Sequence, residues 1–131
     1  MGLTIINPAE LGAPKGYSHG VLARGGALLF VAGQVGWTAE QVLVSGDFVE
    51  QFGQALSNVQ AVVKAAGGGV ENIARLTIYV ADLPEYRARL KEVGAAYRGV
   101  MGRHFPAMTL VEVKSLLDTG AKVEIEATAI I

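Results

Sequence analysis

The chain has 131 residues, 51% of them hydrophobic and only 18% charged, with 11 basic residues against 12 acidic ones. A net charge of −1 provides no field to gather phosphate backbones, so nucleic acid is not an expected partner. With no cysteine there is no disulfide scaffold, thiol nucleophile or cysteine metal site. The length suits one domain, 1–131, able to bury roughly 65–70% of its unfolded surface. So apolar a composition in so small a domain fits a tightly packed core or, the favoured reading, surface covered by neighbouring subunits.

The opening Met1-Gly2-Leu3-Thr4-Ile5-Ile6 lacks the basic and long apolar regions of a signal peptide, and a short strand fits Leu3 to Ile6. No run approaches the ~18 apolar residues of a spanning helix, so a cytoplasmic protein without membrane association is expected. Val21–Arg24 and Ala27–Ala32 flank Gly25-Gly26, the pattern of a two-residue hairpin. From Asp47 the apolar residues Phe48, Phe52, Ala55, Leu56, Val59, Val62, Val63 and Ala66 recur at helical spacing, with Glu50 completing a capping box and Gly67-Gly68-Gly69 as the stop. Arg75–Val80 alternates as a strand. A second helix is expected from Asp82, with Glu85 three residues on, through the stripe Tyr86, Leu90, Val93, Tyr97 and Val100 to Gly102. Ala107–Val113 and Lys122–Ile130 read as a strand pair joined by Asp118-Thr119-Gly120. The order β-β-β-α-β-α-β-β predicts an α+β fold, a mixed sheet of about six strands with two helices on one face.

The last strand carries the unusual feature. Period-two geometry puts Val123, Ile125, Ala127 and Ala129 on one face and Glu124, Glu126 and Thr128 on the other. Carboxylates are rarely buried without partners, and a sheet covered by helices on one side has a second face to hide. Oligomerisation through that face would place Glu124 and Glu126 at or near a subunit interface.

Several short segments together resemble the Rid (YjgF) family. They are Gly16-Tyr17-Ser18-His19-Gly20, Leu29-Phe30-Val31-Ala32-Gly33-Gln34, Ala55-Leu56-Ser57-Asn58-Val59, Val80-Ala81-Asp82-Leu83, Phe105-Pro106-Ala107 and Val123-Glu124-Ile125-Glu126-Ala127. The resemblance spans about Asn7 to Ile131. It implies a chorismate-mutase-like fold, a homotrimer with sheets inside and three intersubunit clefts, and hydrolysis of reactive enamines and imines to ketoacids and ammonia without metal or organic cofactor.

The resemblance also implies roles for single residues. Glu124 matches the glutamate proposed to orient or activate the hydrolytic water, and Tyr17 the cleft tyrosine. Gln34 could fix a water or ligand, and Ala32 stands where many members have a small hydroxylated residue. Where active members follow Phe-Pro-Ala with an arginine that holds the substrate carboxylate, this chain has Met108, whose thioether cannot neutralise an anion. Other readings stay open: Glu124 paired across strands with Lys114 or Lys122, Glu126 in sheet or interface pairing, Glu112 on an exposed face or paired across strands, Tyr17 as a loop aromatic packing on the core, and Gln34 bonded to backbone. His19 should project to the same side as Tyr17; Arg103 or His104 could supply the missing cation, or sit at a solvated helix end. Trp37 could cap the cleft or pack. Two isolated histidines are weak evidence for a metal. The function expected is a small-molecule hydrolase of altered substrate range. The alternatives are a non-catalytic metabolite-binding trimer and a ribonuclease or translation inhibitor, the last disfavoured by the near-neutral charge.

Overall fold

Each expected helix begins at a carboxylate that caps it. Asp47 accepts from the Glu50 amide at 3.0 Å and starts α1 (Phe48–Ala65); Asp82 accepts from the Glu85 amide at 3.1 Å and starts α2 (Leu83–Ala88). The computed structural model describes residues 2–131. At the end of α1, Gly67 adopts φ 92° and the Gly68 amide reaches back to the Val63 carbonyl at 3.0 Å, so a glycine is required at this stop. Of the expected stripe, Phe48, Phe52, Ala55, Leu56, Val59 and Val63 are buried, Val62 is half-buried, and Ala66 is exposed where the helix ends.

The second helix departs from expectation. It breaks at Arg89 (φ −125°, ψ 29°) into α2 and α3 (Leu90–Met101). The Arg89 guanidinium bonds Asp47 at 2.6 Å and Glu92 at 2.5 Å, tying the break to the start of α1. Asp47 thus caps one helix and anchors another. The break also moves Leu90 off the buried stripe, leaving it 54% exposed, while Val93 and Tyr97 stay inside.

The strands are β1 (Gly2–Ile6), β2 (Gly20–Arg24), β3 (Leu28–Val35), β4 (Ile73–Val80), β5 (Ala107–Glu112) and β6 (Val123–Ile130). They form a mixed four-stranded sheet in the order β3-β6-β4-β5 and a separate β1-β2 pair. Two expected pairings are therefore wrong. Gly25 and Gly26 do turn the chain at positive φ, yet β2 pairs with β1 and not with β3. The chain's end takes that place: Ala27 and Ile131 exchange both backbone hydrogen bonds at 2.9 Å. Nor does β5 pair with β6; it runs parallel to β4, which the α2–α3 crossover allows, and β6 inserts between β3 and β4. The two strands with the fullest apolar alternation, β4 and β6, take the centre because only there is a whole face buried.

Core residues from β4 and β6 (Ile73, Leu76, Ile78, Val123, Ile125, Ala127) cluster with α1 and α3. Among the described residues no helix covers the opposite face of the four-stranded sheet, and on it Leu28 and Phe30 are 63% and 73% exposed. A buried glutamine fixes β6 against α1. The Gln51 amide donates to the Ser45 and Gly120 carbonyls at 2.9 and 3.1 Å and accepts from the Lys122 amide at 2.8 Å. Gly36 lies against the same turn: a Cβ there would come within 2.6 Å of the Gln51 backbone. Helix backbone cannot give way as a side chain can, so Gly36→Ala is expected to cost about 1–3 kcal/mol, read from the denaturant midpoint.

Candidate functional site

A buried serine positions the tyrosine loop. The Ser18 amide donates to the Pro106 carbonyl at 3.0 Å and its hydroxyl to the Phe105 carbonyl, so residues 16–19 lie along the start of β5. This places Tyr17 beside Met108. Together with Lys15, Gly16, Tyr86 and Leu110 they line an outer cavity of about 290 Å³. His19 packs edge-on against Tyr17, ring centres 5.3 Å apart, and its Nε2 lies 3.0 Å from the Gly12 carbonyl. Its backbone amide donates to Asn7 Oδ1 at 2.8 Å, so His19 stiffens the loop that carries Tyr17.

Met108 pairs in register with Leu76 and is half-buried against the core. It therefore faces the helices and not the uncovered sheet face. It also lines an inner cavity of about 310 Å³ with Phe52, Tyr86, Val93, Arg98 and Phe105, among others. Gly16, Tyr86 and Met108 are common to both cavities.

Glu124 lies elsewhere. It pairs in register with Tyr79 of β4 and Val35 of β3, on the side of β6 away from the core. Two strand spacings, roughly 10 Å, and three residues along β4 separate it from Met108, on the opposite face. Within one protomer the tyrosine–methionine pair and the glutamate do not meet.

The surroundings of Glu124 raise its proton affinity. Partial burial is the main cause, and the charges of Asp118 and Glu126 add to it. Neither lysine considered from the sequence compensates: Lys122 Nζ points to Glu85 at 3.7 Å, and Lys114 is exposed and outside the ion pairs of the described residues. Space for the carboxylate comes from Gly33, where a Cβ would stand 2.1 Å from Glu124 Oε2. Gly33→Ala is expected to push the carboxylate aside and lower any Glu124-dependent activity while the fold survives, because the group displaced is a flexible side-chain end; circular dichroism beside the activity assay checks this.

Gln34 and Ala32 join neither group. The Gln34 amide donates to the Ala32 carbonyl at 3.1 Å, and its side chain borders a third, more open groove with Trp37, Thr38 and Asn58. Ala32 is exposed at the bulge of β3. Of the cations weighed from sequence, His104 Nε2 lies 2.7 Å from the Ile73 carbonyl and Arg103 is exposed, outside both cavities. The cations beside Met108 are instead Lys15 at the outer cavity and Arg98 at the inner one. Neither adjoins Met108 in sequence; only the spacing of Gly94 and Arg98, one helical turn apart, hinted at a shared face. Among the described residues no group of three His, Asp or Glu side chains could hold a metal ion, and no helix is long and apolar enough to cross a membrane.

A family profile described as Endoribonuclease L-PSP matches residues 8–131. The chain belongs to this family. Its Rid (YjgF) character is equally plain among solved structures: a Rid protein of unknown function, YyfB from Yersinia pestis, superposes with a TM-score of 0.89 at 32% identity, all of each chain being covered. Escherichia coli TdcF, solved with bound serine, gives a TM-score of 0.70 at 30% identity, over 92% of this chain and 91% of that one. A goat protein named 2-iminobutanoate/2-iminopropanoate deaminase is 35% identical over 128 residues, 96% of this chain and 88% of the relative. The Rid relationship thus covers essentially the whole fold, including the strands that carry Met108 and Glu124.

Proposed function

We propose that this Rid protein hydrolyses reactive imines of amino-acid origin, in clefts where Tyr17 and Met108 of one protomer meet Glu124 of a neighbour in a trimer. The observation that carries the reading is the Glu124 carboxylate, outside the ion pairs of the described residues and with raised proton affinity, on a sheet face that exposes Leu28 and Phe30. Such a group suits proton transfer near neutrality better than an ordinary carboxylate does. In the reaction a water oxygen bonds to the C=N carbon as Glu124 takes one of its protons. The nitrogen is protonated, the carbinolamine loses its C–N bond, and ammonia leaves with a C=O in place of C=N. The deaminase name of the goat relative supports this chemistry.

A binding role without turnover is the second reading. It is favoured by Met108, which offers no donor to a substrate carboxylate. The bound serine of TdcF shows that a relative holds a small amino acid.

Two measurements test the proposal. Imines generated in situ by an amino-acid oxidase should release ammonia faster with the protein present; no acceleration, with ligand binding retained, selects the second reading. Light scattering at micromolar concentration should give the mass of a trimer; a monomer would remove the composite cleft.

A further inference from the structure

The inner cavity is the feature that the proposed chemistry leaves unused. Its 310 Å³ lies at the lower end of small-molecule sites, about twice a cavity that accommodates benzene. Its walls are apolar and aromatic. Phe105 and Tyr97 are stacked with ring centres 5.4 Å apart and planes 7° from parallel, and the Tyr97 hydroxyl is already engaged with the His104 carbonyl at 2.7 Å. That leaves the apolar surface of these two rings to the cavity. One charged group lines this space, Arg98, which is exposed at its edge.

The seat of Arg98 is built into α3. Gly94, one turn earlier, has no side chain, and a Cβ there would lie 3.2 Å from Arg98 Nη1. Glycine is disfavoured in mid-helix relative to alanine, and here the space it leaves lies beside the guanidinium at the cavity's edge. Among the described residues no carboxylate pairs with it. Its donors are free to meet an anion.

Met108 joins this cavity to the outer one. An arginine at that position would bring charge to the wall the two cavities share; methionine keeps that wall apolar between the Tyr17 loop and the aromatic rings. We propose that the inner cavity receives the bulky apolar side chain of a 2-imino acid or its 2-oxo product, and that Arg98 binds its carboxylate in place of the missing arginine. Substrates would then derive from large hydrocarbon amino acids and not from alanine-sized ones. This rests on reading the cleft as an imino-acid site.

Calorimetric titration with 4-methyl-2-oxopentanoate and with pyruvate tests the proposal without requiring turnover. The branched acid, with three more carbons to bury, should bind at least about tenfold tighter than pyruvate. Arg98→Gln should weaken its binding about tenfold, a charge-assisted contact being lost. Leu90→Trp, which adds bulk at an exposed edge of the cavity, should erase the preference between the two acids. Both positions are solvent-exposed, so folding should be retained. Equal affinities in the wild type, a preference that survives Leu90→Trp, or branched-acid binding unchanged in Arg98→Gln would overturn the proposal. If the preference holds but no imine releases ammonia, the hydrolase reading fails and the binding cavity stands. Ammonia release fastest from the alanine-derived imine, without selective binding, sinks this inference alone.

Discussion

Replacing Glu124 with glutamine is expected to slow ammonia release from an in situ imine by about two orders of magnitude or more, the usual scale for a positioned acid–base group. The same substitution should leave the protein more stable at neutral pH, and the sign follows from the proton affinity. The folded state holds this proton more tightly than the unfolded chain, whose value is near 4.5. Its contribution to stability is therefore fully present below that value and is lost as pH rises through the higher folded one. Glu124→Gln removes the penalty of a partly desolvated carboxylate flanked by Asp118 and Glu126. Melting temperatures of variant and wild type should converge in acid and separate, variant above, toward neutrality. Lost activity with gained stability is the pattern of a functional group; a surface residue would move neither.

Met108→Arg is expected to act in the opposite direction on activity. A guanidinium and a carboxylate 4 Å apart interact by about 4 kcal/mol at an effective dielectric of 20. If half survives desolvation, capture of a small anionic imine improves roughly thirtyfold. The gain should appear in kcat/KM for alanine-derived imine. It should be smaller, or reversed, for a bulky imine, because the arginine would bring bulk and charge to the apolar wall that Met108 gives both cavities. No gain for any imine would mean that this position does not face the substrate.

Caps and periodicity made the helices legible. Asp47, Asp82 and Gly67 do locally what their positions in the sequence imply. The break at Arg89 was not legible, because its cause is an ion pair with a residue 42 positions away. Alternation revealed which face each strand buries, Glu124 included. It could not reveal which strands are neighbours, since β3 and β4 both alternate suitably to flank β6. Of the site, Glu124 stood out as a carboxylate in an apolar strand, and Tyr17 with Met108 came through the Rid motifs. Lys15 and Arg98 reach the cavities only through tertiary packing, and Ser18, the pin of the tyrosine loop, is an ordinary serine until its partners across 87 residues are known.

In the proposed cleft neither half of the site suffices within one protomer. The most direct test mixes two inactive variants, Tyr17→Ala and Glu124→Gln, refolded together at equal ratio, and measures ammonia release. In a randomly mixed trimer about a quarter of the clefts would combine an intact Tyr17 with a neighbour's intact Glu124. Recovery of about a quarter of wild-type activity is the predicted result. Mixed trimers that form yet stay as inactive as either parent would contradict a cleft shared between protomers.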